Sequence, residues 1–429
     1  MSKTIRYSLI ALGFLIFLIG APLIVLYVRG ITYDFKEHEF VQTGILGVRV
    51  NPNDAEVYLN GRLLRRGSGD VDFLPPAEYQ VTLKKPGYFD WGKRLAVAPG
   101  QVTWANPENQ DVHMLLAGQA AKELSSGVSD FYFHDNFLGA LSGNSFAVWP
   151  SGPDKPAQNY PLPQPVQAIL AAGGQGEFIL GGADGSSTLL FFNAADGRSA
   201  DLSSLFSSPP QFQITDSGEV DALEGHILYR VDPEADSKTV LLTSVKAFFN
   251  NGTGIYYVRE DQGAYSLLLL GPDGRTQTLL AGLPAFEQGQ LLVNFEKQIF
   301  LLADGTLYRA NAAMEKIADH VTAAGFNFAD SYLALFHLGE LDSYDYFGQN
   351  LSLVTRSSEN LTHPLIDSGG GYAFYLKSNG LYAIELDARD NQNLYLLYQG
   401  RDIKNFTLNS AGNTAMLLDG DRLKILKLR

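Results

Sequence analysis

Three patterns of apolar and polar positions divide the chain. Residues 7–28 carry no charge and are dominated by Leu, Ile, Phe and Val, with Lys3 and Arg6 before them and Arg29 after. At 1.5 Å per residue a helix of that length reaches about 33 Å, roughly the hydrocarbon thickness of a bilayer. The pattern predicts a transmembrane helix over 7–28. The positive-inside rule puts residues 1–6 in the cytoplasm and the bulk of the chain outside, a single-pass cell-membrane protein. Gly13, Gly20 and Pro22 suit a membrane span better than a soluble helix. A cleaved signal peptide is the competing reading; its apolar core usually runs about 7–15 residues before a small-residue cleavage pattern, which residues 26–29 lack.

Residues 29–43 read as a polar connector. Strand-type alternation follows: Leu46, Val48 and Val50 point one way, and Asn51-Pro52-Asn53-Asp54 is a turn. Asn60-Gly61 suits the left-handed positions of a tight hairpin, Leu74-Pro75-Pro76 breaks the chain, and Pro86-Gly87 turns it again. Five or six short strands without a helical period predict a small β-sandwich over 44–116. At these residues the chain resembles a PEGA domain. The motifs are Gly44, Pro52-Asn53-Asp54-Ala55, Val57 to Gly61, Leu74-Pro75-Pro76-Ala77-Glu78-Tyr79 and Lys85-Pro86-Gly87-Tyr88. Asn-Asp stands inside the name-giving tetrad and Ala77 replaces the usual glycine, both at turns. The resemblance implies an extracytoplasmic, non-catalytic accessory module and no ligand.

From 118 to 429 short apolar runs alternate with Gly, Asp and Asn. Asp-Gly recurs at Asp184, Asp196, Asp273, Asp304 and Asp419, and Asn-Gly at Asn251 and Asn379, the punctuation of β-hairpins. A weak repeat emerges, with units near 129–163, 166–204, 211–244, 245–282, 285–321, 323–366, 367–400 and 402–428. About 39 residues per unit approaches the roughly 40–45 of a propeller blade. The region therefore predicts a β-propeller; the repeats favour eight blades, and seven fit the length. A pair of large sandwiches and a solenoid are the alternatives. The last unit offers only three strands, so residues 122–126 are expected to supply its fourth and close the ring. The expected fold is all-β: an N-terminal transmembrane helix, a small PEGA-like sandwich, then a propeller.

Composition narrows the chemistry. The chain has 32 Lys and Arg against 46 Asp and Glu, a net charge of −14, which opposes sequence-independent nucleic-acid binding. Without cysteine there is no disulfide, thiolate metal site or cysteine nucleophile. No G-x-S-x-G elbow or phosphate loop occurs, and Gly173-Gly174-Gln175-Gly176 reads as a turn between blades. The seven histidines are too scattered for short-range zinc chelation. No catalytic, cofactor or metal residue is assigned. The acidic stretch 340–346 reads as a long rim loop, and Tyr344, Asp345 and Tyr346 in it are the candidate binding residues. Two functions follow: an anchored scaffold presenting a propeller to a protein or envelope polymer, or an envelope glycan or peptide hydrolase or lyase with its site at the channel mouth.

Overall fold

A computed structural model describes the chain except residues 1–2, 35–37, 108–109, 135–136, 151, 154, 175, 183–186, 295, 327–331, 346–348, 368–370 and 410. Two units result: Met1–Gly118 with Asp387–Tyr395 and Arg429, and Gln119–Leu386 with Leu396–Leu428.

The first unit opens with a helix, Lys3–Val28, that contains Pro22. Here the expected fold needs correction: among the described residues, no helix is long and apolar enough to cross a membrane. Residues of the expected connector form a hairpin, Ile31–Asp34 against Glu39–Gln42.

Beyond it, alternation and turn chemistry build a three-stranded and a four-stranded sheet, with Val50–Asn51 and Val112–His113 as a short parallel pair. Gly44–Val48 lies between Gly69–Leu74, antiparallel, and Val102–Trp104, parallel. The other sheet runs in the order Arg62–Arg66, Glu56–Leu59, Ala77–Lys84, Trp91–Val97. Asn60 and Gly61 have φ of 49° and 78°, the two left-handed residues of a type I′ turn, which explains Asn-Gly there. The inward positions, among them Leu46, Val48, Val57, Val81, Leu83, Trp91 and Leu95, close into one core.

Among its described residues, the second unit forms eight four-stranded antiparallel sheets. Blades 1 to 7 span 130–161, 168–201, 211–243, 245–283, 289–318, 323–356 and 362–399, the last interrupted by residues 387–395, which belong to the first unit. Blade 8 takes Ile403–Leu408, Thr414–Asp419 and Arg422–Lys427 from the C-terminus, and Lys122–Ser126 as its outer strand. That strand pairs Lys122 with Ile425 and Ser126 with Arg422, so both ends of the region meet in one sheet. First strands lie against one another in blades 1 and 2, 2 and 3, 4 and 5, 6 and 7, and 7 and 8, and Ile403–Leu408 returns to Asp130–His134. This is a closed propeller ring. No sheet has to stand alone, because each packs apolar faces on its neighbours, as where Phe146 of blade 1 meets Phe178 and Phe192 of blade 2. The boundary between blades 6 and 7 differs from the sequence expectation: Thr362–Ile366 opens blade 7 instead of ending blade 6.

Candidate functional site

The most heavily built polar site lies in the first unit. Trp91–Val97 alternates buried and less buried positions, so its third residue, Lys93, points inward with Trp91, Leu95 and Val97. Lys93 is fully buried. Its Nζ donates to the backbone carbonyls of Asp387 at 2.8 Å, Arg389 at 2.8 Å and Asn391 at 3.3 Å. The Asp387 carboxylate stands 3.9 Å away. Removing an ammonium from water costs several kcal/mol, so only a cage of acceptors makes such a position tenable.

The same segment covers the edge of the sheet. Asp390 accepts from the Arg94 N–H at 2.8 Å, and Asn393 Nδ2 donates to the Gly92 carbonyl at 3.3 Å. Those backbone groups lie on the strand's outer side, where another strand would otherwise pair. The Arg94 N–H, and then the Arg94 guanidinium, hold the Asp390 carboxyl below its usual range. Arg389 donates to the carbonyls of Trp104 and Ala105 at 3.0 and 2.9 Å and pairs with Asp387. Tyr395 stacks on Phe89 with centroids 4.8 Å apart. The arrangement is a clamp: it binds a peptide segment through its backbone.

In the ring, carboxylates hold loops in a repeated way. At the end of the second strand of blades 3, 5 and 8 stand Glu224, Asp304 and Asp419. Each accepts from two consecutive backbone N–H groups in the loop that enters its blade: Ser207 and Ser208, Glu287 and Gln288, Arg401 and Asp402. Lys238 also reaches Glu224 at 2.8 Å, and Lys424 reaches Asp419 at 2.7 Å. Burial by itself would raise the Glu224 carboxyl, but Lys238 and the Ser207 and Ser208 donors outweigh it and bring it down to about 2. Asp419 is likewise held well below the carboxylate range: burial opposes this, and Lys424 with the Asp402 and Arg401 N–H groups prevails. Between blades, fully buried Asp221 receives Arg230 Nε and Asn250 Nδ2, both at 2.6 Å.

The expected rim residues lie elsewhere. Glu340–Asp345 is the third strand of blade 6, not a loop. Tyr344 is buried against Phe300 with centroids 6.2 Å apart, and Asp345 ends the strand opposite Asn350. Tyr346 lies outside the described residues. The acids of this stretch are partnered along the sheet, Glu340 with Arg356 at 2.7 Å and Asp342 with His337 at 2.9 Å. Gly173, Gly174 and Gly176 lie between the first two strands of blade 2, and not between blades. Among the described residues no group of three metal-ligating side chains assembles.

Residues 43–111 match the PEGA domain. The PEGA match explains the small sheets and their turns and leaves the ring to be compared by structure. The chain is similar to a structure described as a eukaryotic initiation factor, with TM-score 0.50 and 11% identity over 71% of this chain and 87% of that one. At that identity the likeness shows the fold alone. A second similar chain is PorZ, described as an essential bacterial surface component of the type-IX secretion system of Porphyromonas gingivalis, at TM-score 0.37 and 15% identity over 72% of this chain and 38% of that one. No curated protein matches the chain in sequence.

Proposed function

We propose that this chain is a non-catalytic binding scaffold of the cell envelope, lying outside the cytoplasm and presenting its ring to a protein or an envelope polymer. One observation carries the reading: four charged side chains with little exposure are committed to holding backbone and neighbouring blades. Lys93, Asp221, Glu224 and Asp419 each make several hydrogen bonds to fixed partners. A general acid or base has to reach a substrate proton, whereas a group held this way fixes a loop. Loops fixed on a rigid frame make a recognition surface. The PEGA domain supports an extracytoplasmic setting, and a net charge of −14 disfavours nucleic acid as the ligand. A groove of about 340 Å³ between blades 3 and 4, lined by Val240, Ser244, Tyr257, Arg259 and Asp261, offers apolar and charged contacts together.

The enzyme reading keeps one foothold. Glu177 is 9% exposed, and its Oε2 has no hydrogen-bond partner among the described residues. The test is to incubate the purified chain with isolated envelope glycan and envelope proteins, measuring retention and products in the same sample. The scaffold reading expects saturable retention with the polymer intact. Turnover that disappears in Glu177→Gln would replace it with the enzyme.

A further inference from the structure

The four-stranded sheet of the first unit ends on two unlike edges. Trp91–Val97 has two outer backbone groups, the Arg94 N–H and the Gly92 carbonyl, taken by Asp390 and Asn393. At the other edge lies Arg62–Arg66, sequence Arg-Leu-Leu-Arg-Arg, with no strand beside it among the described residues. Alternate residues of a strand point to opposite faces, yet all five here are exposed, so neither face is covered. Leu63 and Leu64 are 47% and 41% exposed. Arg66 pairs with Glu56 at 2.8 Å, while Arg62 and Arg65 make no ion pair among the described residues.

An open edge is a template for strand addition, and charges along it decide which strand is admitted. Arginines repel the same edge of a second copy and attract carboxylates. The basic strand is also conspicuous on a chain with 46 acidic and 32 basic residues. The register slips at Leu64, leaving a bulge that limits the straight edge to a few residues.

We propose that Arg62–Arg66 is a docking edge for a short, extended acidic segment of a partner protein. The segment adds to the sheet as a fifth strand. Backbone groups form the ladder, Arg62 and Arg65 meet its carboxylates, and Leu63 and Leu64 receive its apolar residues. The inference stands independently of what the ring binds.

The test is fluorescence anisotropy of the full chain with labelled eight-residue peptides alternating Glu and Val. One version carries N-methyl groups on alternate backbone nitrogens, which preserves charge and removes ladder donors. Binding of the unmodified peptide is expected to weaken at least tenfold on N-methylation and at least tenfold in Arg62→Glu/Arg65→Glu. The Arg62→Lys/Arg65→Lys variant is expected to retain most of it. Equal binding of the N-methylated peptide would reduce the edge to non-specific polyanion attraction and overturn strand addition. Binding unaffected by charge reversal, no binding to the wild-type chain, or self-association lost in the reversed variant would each overturn the proposal as well.

Discussion

Lys93 shows how one inward register position governs the first unit. Its three short-range acceptors are the carbonyls of Asp387, Arg389 and Asn391. Replacing it with Met keeps the stem and strands the acceptors, a loss of about 3 kcal/mol by analogy with broken buried polar pairs. Chemical denaturation of the full chain is expected to show that loss; an unchanged midpoint would refute the clamp. Lysine at the third place of Trp91-x-Lys93-x-Leu95 was the only signal in the sequence, since its partners lie nearly three hundred residues away. Glu224 makes a pH-dependent claim. Its carboxyl is depressed from 4.5 to about 2, so its contribution is complete above 4.5 and fades as pH falls toward 2. Melting temperatures measured from pH 6 to pH 2.5 are expected to fall less steeply in Glu224→Gln than in wild type. Parallel curves would contradict the assignment.

Elements were legible where turn chemistry is local. Asn60-Gly61 marks its turn, and Asp304-Gly305, with φ of 46° and 79°, does the same in blade 5. At Asn379-Gly380 the reading was one residue out: Ser378 and Asn379 are the left-handed pair, and Gly380 begins the next strand. Elements were misread where charge masked alternation. In Glu340–Asp345 the acids at 340 and 342 pair along the sheet while Leu341 packs toward blade 7 and Tyr344, on the opposite face, toward blade 5, so an acidic run looked like a loop. Lys122–Ser126 was found by counting strands, and the pairing with Arg422–Lys427 bears it out. Deleting residues 118–127 removes that strand and the Arg422–Glu123 ion pair, and bares the edge of blade 8. The ring's melting temperature is expected to drop by about 5 °C or more, judged from the cost of a few lost interactions in a large domain. No drop would mean that the strand does not close the ring.

At the scale of the whole molecule, residues 43–111 match a PEGA domain and the second unit is an eight-bladed ring, each stiffened within itself by polar groups bonded to its own backbone. Function was the least legible level, because a ring fold hosts many activities and its ligand is chosen by side chains from several blades. The central claim, recognition without turnover, separates from its rival by the form of a heat signal. Isothermal calorimetry of the purified full chain against isolated envelope polymer is expected to give heat pulses that saturate and return to baseline. Sustained thermal power proportional to protein concentration, and absent in Glu177→Gln, would contradict the account.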